Sequence, residues 1–135
     1  MIITTDLICL LLLALWSVPL NHAPALGRVF SGDTKAGLEW AMSSRDEPRE
    51  GPLWVGRADR AQRNHHDNLA LTATVILVAQ ITGQANEITA TASVVILAAR
   101  VAHAVFYLAG ISPLRSLSYV VALLGTFAIV WQILV

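Results

Sequence analysis

Charged residues are scarce in this sequence of 135 residues. Asp, Glu, Lys and Arg make up 13% of the chain, whereas a soluble domain usually carries about a quarter. Nine Lys and Arg balance nine Asp and Glu, so no positive surplus faces phosphates, and this excludes a basic nucleic-acid-binding protein. The apolar content of 56% excludes a disordered chain, which needs low hydrophobicity and high net charge.

Cysteine and metal-ligand clusters are equally sparse. Cys9 is the only cysteine and stands in an apolar run, which excludes a disulfide scaffold and argues against a catalytic thiol. His65, His66 and Asp67 are consecutive, but neighbouring side chains on a helix point about 100° apart, and no second pair of ligands follows at helical spacing. We therefore expect no metal site.

Long apolar runs fill most of the chain. A bilayer core of about 30 Å requires roughly 20 apolar residues in a helix. The sequence predicts an all-α integral membrane protein, a four-helix bundle in a single domain that covers residues 1–135. The predicted helices span about residues 2–24, 54–82, 87–109 and 113–134, and a polar loop spans about residues 27–53, with a short helix near Lys35 to Met42.

The connections and the basic residues predict the arrangement in the membrane. The second and third connections are only a few residues long, with Ser112 as the predicted N-cap before Pro113, so the last three helices should be antiparallel neighbours. No Lys or Arg precedes Arg28, which favours a retained first helix over a cleaved signal peptide. Lys and Arg concentrate in the first and third loops, so we expect these loops in the cytoplasm and both termini in the periplasm.

Polar residues form a stripe on each of three predicted helices. The stripes begin at Arg60, Arg100 and Arg115, and each recurs at helical spacing. Because of the predicted topology, all three fall in the cytoplasmic leaflet, where ionisable groups mark functional sites. The residues are Arg60, Arg63, Asn64 and Asp67; Arg100, His103 and Tyr107; and Arg115, Ser116 and Tyr119.

The charges of these stripes do not balance. Four arginines face Asp67, the one clear acid, and unpaired buried cations are costly. This pattern favours a ligand with several carboxylates and one amine, because arginine binds carboxylates bidentately. Three alternatives stay open: Arg57, Arg60 and Arg63 reach the membrane surface, Arg100 and His103 clamp Asp67, or the tyrosines belong to an interfacial belt.

Two stretches of the sequence resemble a known membrane protein family. One is Arg57-Ala58-Asp59-Arg60-Ala61-Gln62-Arg63-Asn64-His65-His66-Asp67-Asn68-Leu69. The other is Arg100-Val101-Ala102-His103-Ala104-Val105-Phe106-Tyr107-Leu108, followed by Pro113-Leu114-Arg115-Ser116 and Tyr119. Together they resemble the MAPEG family, the membrane-associated proteins of eicosanoid and glutathione metabolism, and the second stretch is similar to microsomal prostaglandin E synthase. Ser44-Arg45-Asp46-Glu47-Pro48 resembles the first loop of bacterial members.

The resemblance implies a homotrimer that binds glutathione as cosubstrate between subunits. It implies cosubstrate contacts from Arg60, Arg63, Asn64, Asp67, Arg100, His103 and Tyr107, and catalytic roles near the sulfur for Arg115, Ser116 and Tyr119. The implied activity is a glutathione-dependent transferase or peroxidase in the bacterial inner membrane, which acts on a lipophilic small molecule that arrives from the lipid.

The sequence departs from the enzyme members of the family at two positions. Asp67 stands where they usually carry Glu, and the first helix is expected to lack their glutathione-binding arginine, because Arg28 follows Pro24 and Gly27. Two further functions are open: a lipid-binding protein without catalysis, and a membrane protein whose polar residues only lock helices together.

Overall fold

The protein is all-helical. A computed structural model describes residues 3–135, and these residues form five helices and no strand. The helices are α1 (Thr5–Val29), α2 (Thr34–Met42), α3 (Leu53–Ile81), α4 (Glu87–Ala109) and α5 (Ser112–Leu134). The all-α prediction is confirmed.

Three of the helices are long and apolar enough to cross a bilayer. Over their best 18-residue windows, α1, α4 and α5 reach mean hydropathies of 1.7, 1.8 and 2.0, which marks an integral membrane protein. The fourth predicted span, α3, is not among these three, although its 29 residues would extend about 43 Å. Its first half contains the arginine-rich stretch, which lowers its hydropathy.

The helix α1 continues beyond its predicted end. It runs through Pro19 and Pro24 to Val29, so the polar loop does not begin at Gly27. Proline is tolerated in membrane helices, where neighbouring helices satisfy the freed backbone groups. Gly27 marks the close approach of α3, because a Cβ atom there would lie 2.6 Å from side-chain atoms of both Trp54 and Val55.

The ends of the last two helices follow from their capping residues. The side chain of Asn86 accepts hydrogen bonds from the first turn of α4, and Thr89 completes the capping box. Gly110 ends α4 with a φ of 77°, a left-handed conformation that glycine adopts at no steric cost. The predicted N-cap of α5 was wrong by one residue, because Ser112 already lies in the helix and Ile111 occupies the N-cap position.

The segment between α1 and α3 is held to the end of α1 by backbone contacts. Arg28 and Arg49 each donate from Nε to the other's carbonyl oxygen, both at 3.0 Å. Arg49 also donates to the carbonyl oxygens of Ser31 and Asp33. This segment includes α2 and therefore has a defined conformation beside the arginine-rich end of α3.

The four long helices all contribute to one apolar cluster of buried residues. Each contributes one fully buried side chain to it: Leu13 from α1, Ile76 from α3, Ile96 from α4 and Ile129 from α5. The helices α4 and α5 pack along most of their length, and α1 packs on both α3 and α4. This packing fixes the relative positions of the three polar stripes.

Candidate functional site

Asn64 and Arg100 form the deepest polar contact among the predicted site residues. Arg100 is only 4% exposed, and it donates from both terminal nitrogens to Asn64, to Oδ1 and to the carbonyl oxygen, each at 2.9 Å. The alternative in which Arg100 and His103 clamp Asp67 is therefore wrong, because the partner of Arg100 is Asn64. Asp67 is exposed, and the amide of Asn64 satisfies the buried cation in its place.

His103 connects α4 to the first turns of α5. Its Nδ1 atom donates to the carbonyl oxygen of Arg115 at 2.9 Å, which fixes the ring orientation. Its Nε2 atom is buried and has no hydrogen-bond partner among residues 3–135. A buried polar atom without a partner is uncommon in native proteins, and this nitrogen therefore marks a place where a ligand atom or a water molecule belongs.

Tyr107 lies between two cations. The guanidinium carbon of Arg115 is 4.9 Å from the centre of the Tyr107 ring, and that of Arg60 is 5.9 Å away. Both distances fall within the range of cation–π attraction. His103 meets the same ring edge-on, with 5.6 Å between ring centres. The tyrosine thus places two guanidinium groups, one from α3 and one from α5, close to one aromatic ring.

An open cavity of about 340 Å³ gathers most of the predicted site. Six of the ten predicted residues line it, and the three helices α3, α4 and α5 all contribute. The six are Asn64, His103, Tyr107, Arg115, Ser116 and Tyr119. Arg100 does not line the cavity, but its hydrogen bonds hold Asn64 in position. Arg100 is therefore a seventh predicted residue that acts on the cavity through Asn64.

The remaining three predicted residues do not line this cavity. Arg60 lies beside Tyr107, where it lines a smaller cavity. Arg63 and Asp67 are exposed. The sequence placed all four polar residues of α3 on one face, but within one chain only Asn64 reaches the cavity of about 340 Å³.

The cavity is electropositive because the nearby acids are engaged elsewhere or face outward. Among residues 3–135, the one ion pair joins Arg28 to Asp59, and it occupies both carboxylate oxygens. The residues that line the cavity, all within the described part of the chain, include neither Asp nor Glu. Such a site favours carboxylates and stabilises a developing anion.

The first helix does contain an arginine, contrary to the expectation from the sequence. Because α1 extends to Val29, Arg28 lies in its last turn. Its guanidinium group binds Asp59 of α3 and the carbonyl oxygen of Arg49. The residue therefore ties α1 to α3 and to the polar segment, and it does not reach the cavity.

Two polar residues outside the predicted site have clear partners. Arg57 donates to the carbonyl oxygen of Leu108 at 3.3 Å, so it contacts the end of α4 and does not simply extend to the membrane surface. Asp6, near the start of α1, is buried and accepts a hydrogen bond of 3.0 Å from Ser93. The sequence signal for this buried contact was a single acidic residue within an apolar run.

No cluster in the described residues resembles a metal centre. Within residues 3–135, no three side chains of His, Cys, Asp or Glu come together as metal ligands would. His65 instead joins α1 to α3, because its Nε2 atom lies 3.1 Å from both the carbonyl oxygen of Leu13 and the hydroxyl of Ser17.

Comparison with known proteins adds one match. The family model described as MAPEG family matches residues 6–135, which is essentially the whole chain. No curated protein matches the sequence. The match extends from the first turn of α1 to the last residue, well beyond the two stretches on which the resemblance was first based. The chain belongs to the MAPEG family.

Proposed function

We propose that this protein is a glutathione-dependent transferase or peroxidase that acts on lipophilic electrophiles. The observation that carries the proposal is the electropositive cavity of about 340 Å³, which joins His103, Arg115, Ser116 and Tyr119. Family membership supports a role in glutathione or lipid metabolism. The proposal assigns this cavity to the cosubstrate and the adjacent lipid to the second substrate.

Glutathione carries the negative charges that the residues around the electropositive cavity lack. It carries two carboxylates, one ammonium group and a thiol. In the proposal, the guanidinium groups of Arg60 and Arg63 bind the carboxylates, and Asp67 binds the ammonium group. Arg63 and Asp67 are exposed in the single chain, so they act in a homotrimer of four-helix bundles, in which glutathione lies between neighbouring subunits.

The cavity contributes to catalysis by favouring the thiolate. The thiolate is the nucleophilic form, and Arg115 supplies a cation beside it, while Ser116 and Tyr119 supply hydroxyl donors. Attack on an electrophilic carbon forms a carbon–sulfur bond and expels a leaving group. Attack on a peroxide breaks the oxygen–oxygen bond and releases an alcohol, and a second glutathione then yields the disulfide and water.

Three further residues keep the catalytic groups in position around the cosubstrate. They are Asn64, His103 and Tyr107. Arg100 fixes Asn64 through two hydrogen bonds, and the bond from His103 to Arg115 fixes the start of α5. The Nε2 atom of His103, which has no partner within residues 3–135, is available to a cosubstrate atom. These contacts position the catalytic groups before the cosubstrate arrives.

The proposed location is the bacterial inner membrane. The first loop faces the cytoplasm and both termini face the periplasm, because Arg28 lies in the last turn of α1 and Lys35, Arg45 and Arg49 lie between α1 and α3. Basic residues concentrate on the cytoplasmic side. The cavity then opens towards cytoplasmic glutathione. The single domain of the proposal covers residues 1–135.

A lipid-binding protein without catalysis is the second candidate. An apolar cavity of about 550 Å³ lies between α4 and α5, lined by Val95, Val121, Leu124 and Ala128. Its size suits an acyl chain, and it is separate from the polar cavity. The same fold would then present a lipid instead of transforming one.

One pair of measurements separates the two functions. The purified protein is incubated with glutathione and either an aryl halide or an organic hydroperoxide, and glutathione consumption is followed. Lipids that copurify are extracted and identified in parallel. The proposal expects consumption that Tyr119→Phe lowers and Lys35→Gln, an exposed control on α2, leaves unchanged. Absence of consumption together with a stoichiometric copurifying lipid would favour the second function.

A further inference from the structure

The short helix α2 is attached to the end of the first membrane-spanning helix. Only four residues separate Thr34, where α2 begins, from Val29, where α1 ends. Gly37 of α2 is buried, and a Cβ atom at this position would overlap the carbonyl group of Val29. Because α1 is long and apolar enough to span the bilayer, α2 lies at the level where the membrane meets water.

The side chains of α2 fall into three directions around the helix. Successive residues of an α-helix point about 100° apart. Lys35 and Glu39 therefore point almost directly away from Gly37, which faces α1. Leu38 and Met42 lie between these two directions, at about 100° and 140° from Gly37. The helix thus has a charged side and a separate apolar side, which is the pattern of helices that lie in the surface of a membrane.

Large apolar side chains at this end of the molecule are exposed. Phe30 is 66% exposed and Met42 is 79% exposed. Leu26 precedes Phe30 by one helical turn and is also exposed, so the exposed apolar surface of α1 continues to the point where α2 is attached. Exposed apolar patches mark sites of interaction with a protein or a membrane. The side chains of this patch, here called the apolar rim, are Leu26, Phe30, Leu38 and Met42.

Hydrogen bonds hold α2 and the chain on both sides of it in one conformation. The indole Nε1 atom of Trp40 donates to the carbonyl oxygen of Glu47 at 2.9 Å, which ties the chain after α2 back to the helix. Arg49 donates to the carbonyl oxygens of Ser31 and Asp33, just before α2. The apolar rim therefore belongs to a segment with a defined conformation.

The size of the apolar rim favours lipid over another protein as its partner. A stable protein interface buries about 800 Å² on each partner and involves roughly 20 to 30 residues. The rim consists of four side chains, and the exposed charged residues Lys35 and Glu39 lie beside them. The exposed apolar face of α1 lies in the bilayer, so the rim begins where lipid is already present.

The charge of the segment indicates which part of the lipid is involved. Between α1 and α3 there are three basic and five acidic residues, which are Lys35, Arg45 and Arg49, and Asp33, Glu39, Asp46, Glu47 and Glu50. Attraction to anionic head groups requires clusters of Lys and Arg, and this segment carries an excess of acids. The contact with lipid therefore depends on the burial of apolar surface at the boundary of the acyl chains.

We propose that α2 is an interfacial helix, which inserts the apolar rim into the boundary between the lipid head groups and the acyl chains. The charged side of the helix, with Lys35 and Glu39, faces water. The contact holds the segment between α1 and α3 against the membrane surface, beside the arginine-rich start of α3. The partner is the lipid of the surrounding leaflet, and the proposal is independent of whether the protein binds glutathione.

The test is spin labelling of the full chain in phosphatidylcholine vesicles. Labels are attached to Leu38→Cys and Met42→Cys, and Glu39→Cys is the matched control on the charged side of the same helix. All three positions are exposed, so the labels leave the packing of the bundle intact. Cys9 is buried, and the wild type treated in the same way reports any label on it.

The measurement compares collisions of each label with oxygen, which concentrates in lipid, and with a water-soluble nickel chelate. We expect oxygen to dominate at both rim positions and the nickel chelate to dominate at the control position. Access of the nickel chelate to all three positions would place the rim in water and overturn the proposal. If neither reagent reaches the two rim positions, a protein surface such as a second copy of this chain covers them, and the proposal is equally wrong.

A change of lipid composition separates apolar insertion from attraction by charge. The same labels are measured in vesicles that contain phosphatidylglycerol in addition to phosphatidylcholine. We expect the ratio of oxygen to nickel collisions at Met42→Cys to be the same in both kinds of vesicle, because the segment carries no excess of basic residues. A ratio that favours oxygen only when phosphatidylglycerol is present would show attraction to the head groups and contradict the proposal.

Discussion

At the scale of single residues, Asn64 is the group on which a buried cation depends. Arg100 is 4% exposed and takes both of its hydrogen bonds to this residue from α3. Removing the partner of a buried charged group costs more than the hydrogen bond contributes on balance, because the charge stays buried. The polar contact between α3 and α4 is therefore sensitive to one amide.

Asn64→Leu should destabilise the protein by about 2 kcal/mol, the cost of one lost hydrogen bond to a charged group. The thermal unfolding of the detergent-solubilised variant measures this effect. Asn21→Ala is the matched control, because Asn21 also loses a side-chain hydrogen bond, with Gln62, but at an exposed position. Equal unfolding temperatures for the two variants would argue against a buried Arg100 that relies on Asn64.

Arg115 is the residue expected to affect chemistry more than binding. It lines the cosubstrate cavity beside Ser116 and Tyr119, where the thiolate forms in the proposal. Arg115→Ala should lower turnover by about a hundredfold, the usual effect of removing one group that stabilises developing charge. The affinity for glutathione should fall much less. Steady-state kinetics and calorimetry on the same preparation provide the comparison, and unchanged turnover would remove Arg115 from the chemistry.

The sequence predicted which site residues lie on the same face of one helix, because their spacing alone determines this. The i, i+3, i+7 spacing of Arg100, His103 and Tyr107 placed them together on α4, where His103 and Tyr107 now line the cavity. The partners could not be predicted. Asn64 rather than Asp67 satisfies Arg100, because the rotation of α3 against α4 depends on packing across the whole molecule.

At the scale of secondary-structure elements, the contact between α4 and α5 depends on one small residue. A Cβ atom at Gly125 would lie 2.7 Å from Cγ1 of Ile96 and 3.3 Å from the carbonyl oxygen of Ala92. Ile96 is fully buried in the core and has no room to move. The two helices can approach this closely only because position 125 has no side chain, which is typical of helix pairs in membranes.

Gly125→Ala should destabilise the protein by about 1 to 3 kcal/mol, the usual cost of overpacking a core. Gly56→Ala is the control on α3, because a Cβ atom there would meet only the Arg60 side chain, at an ordinary 3.6 Å. This second change should be neutral or should stabilise by up to about 1 kcal/mol, since alanine is the better helix former. Thermal unfolding of both variants tests the contact, and equal stability would contradict it.

The end of α1 illustrates what local sequence signals miss. Pro24 and Gly27 together indicate a helix stop in a soluble protein, and the predicted first helix therefore ended at about residue 24. In this protein α1 continues to Val29, because Trp54 and Val55 pack against Gly27 and Arg28 binds Asp59 of α3. These contacts come from residues far along the chain, so no local pattern could predict them.

At the scale of the whole molecule, the orientation in the membrane decides which solution reaches the cavity. The proposed topology places the segment between α1 and α3 in the cytoplasm and the turn between α3 and α4 in the periplasm. Cys9, the only native cysteine, is buried. The wild-type protein therefore serves as an unlabelled background for cysteines placed in the loops.

Gln84→Cys should react with a membrane-impermeant maleimide in intact spheroplasts, whereas Ser44→Cys should react only in inverted vesicles. Both positions are exposed, so the difference reports the side of the membrane and not burial. Labelling of Ser44→Cys in spheroplasts would reverse the topology and place the cavity towards the periplasm.

The oligomeric state shows whether the polar residues bind a ligand or hold the helices together. The proposed homotrimer should persist in Arg60→Ala, because Arg60 is exposed and lines a cavity. If the polar residues only lock helices together, the same change should dissociate the oligomer. Native mass spectrometry of the wild type and of Arg60→Ala gives the number of chains in each. A wild type that contains one chain would contradict the trimer.

The central claim is that the polar cavity between α3, α4 and α5, together with the arginines of α3 beside it, binds glutathione. Its most direct test is calorimetric titration of glutathione into the purified protein. The account predicts saturable binding that weakens about tenfold or more in Arg60→Ala, the effect of losing a charge-assisted contact, and that stays unchanged in Lys35→Gln. Absence of heat from folded protein over a wide concentration range, or equal binding by all three proteins, would contradict the account.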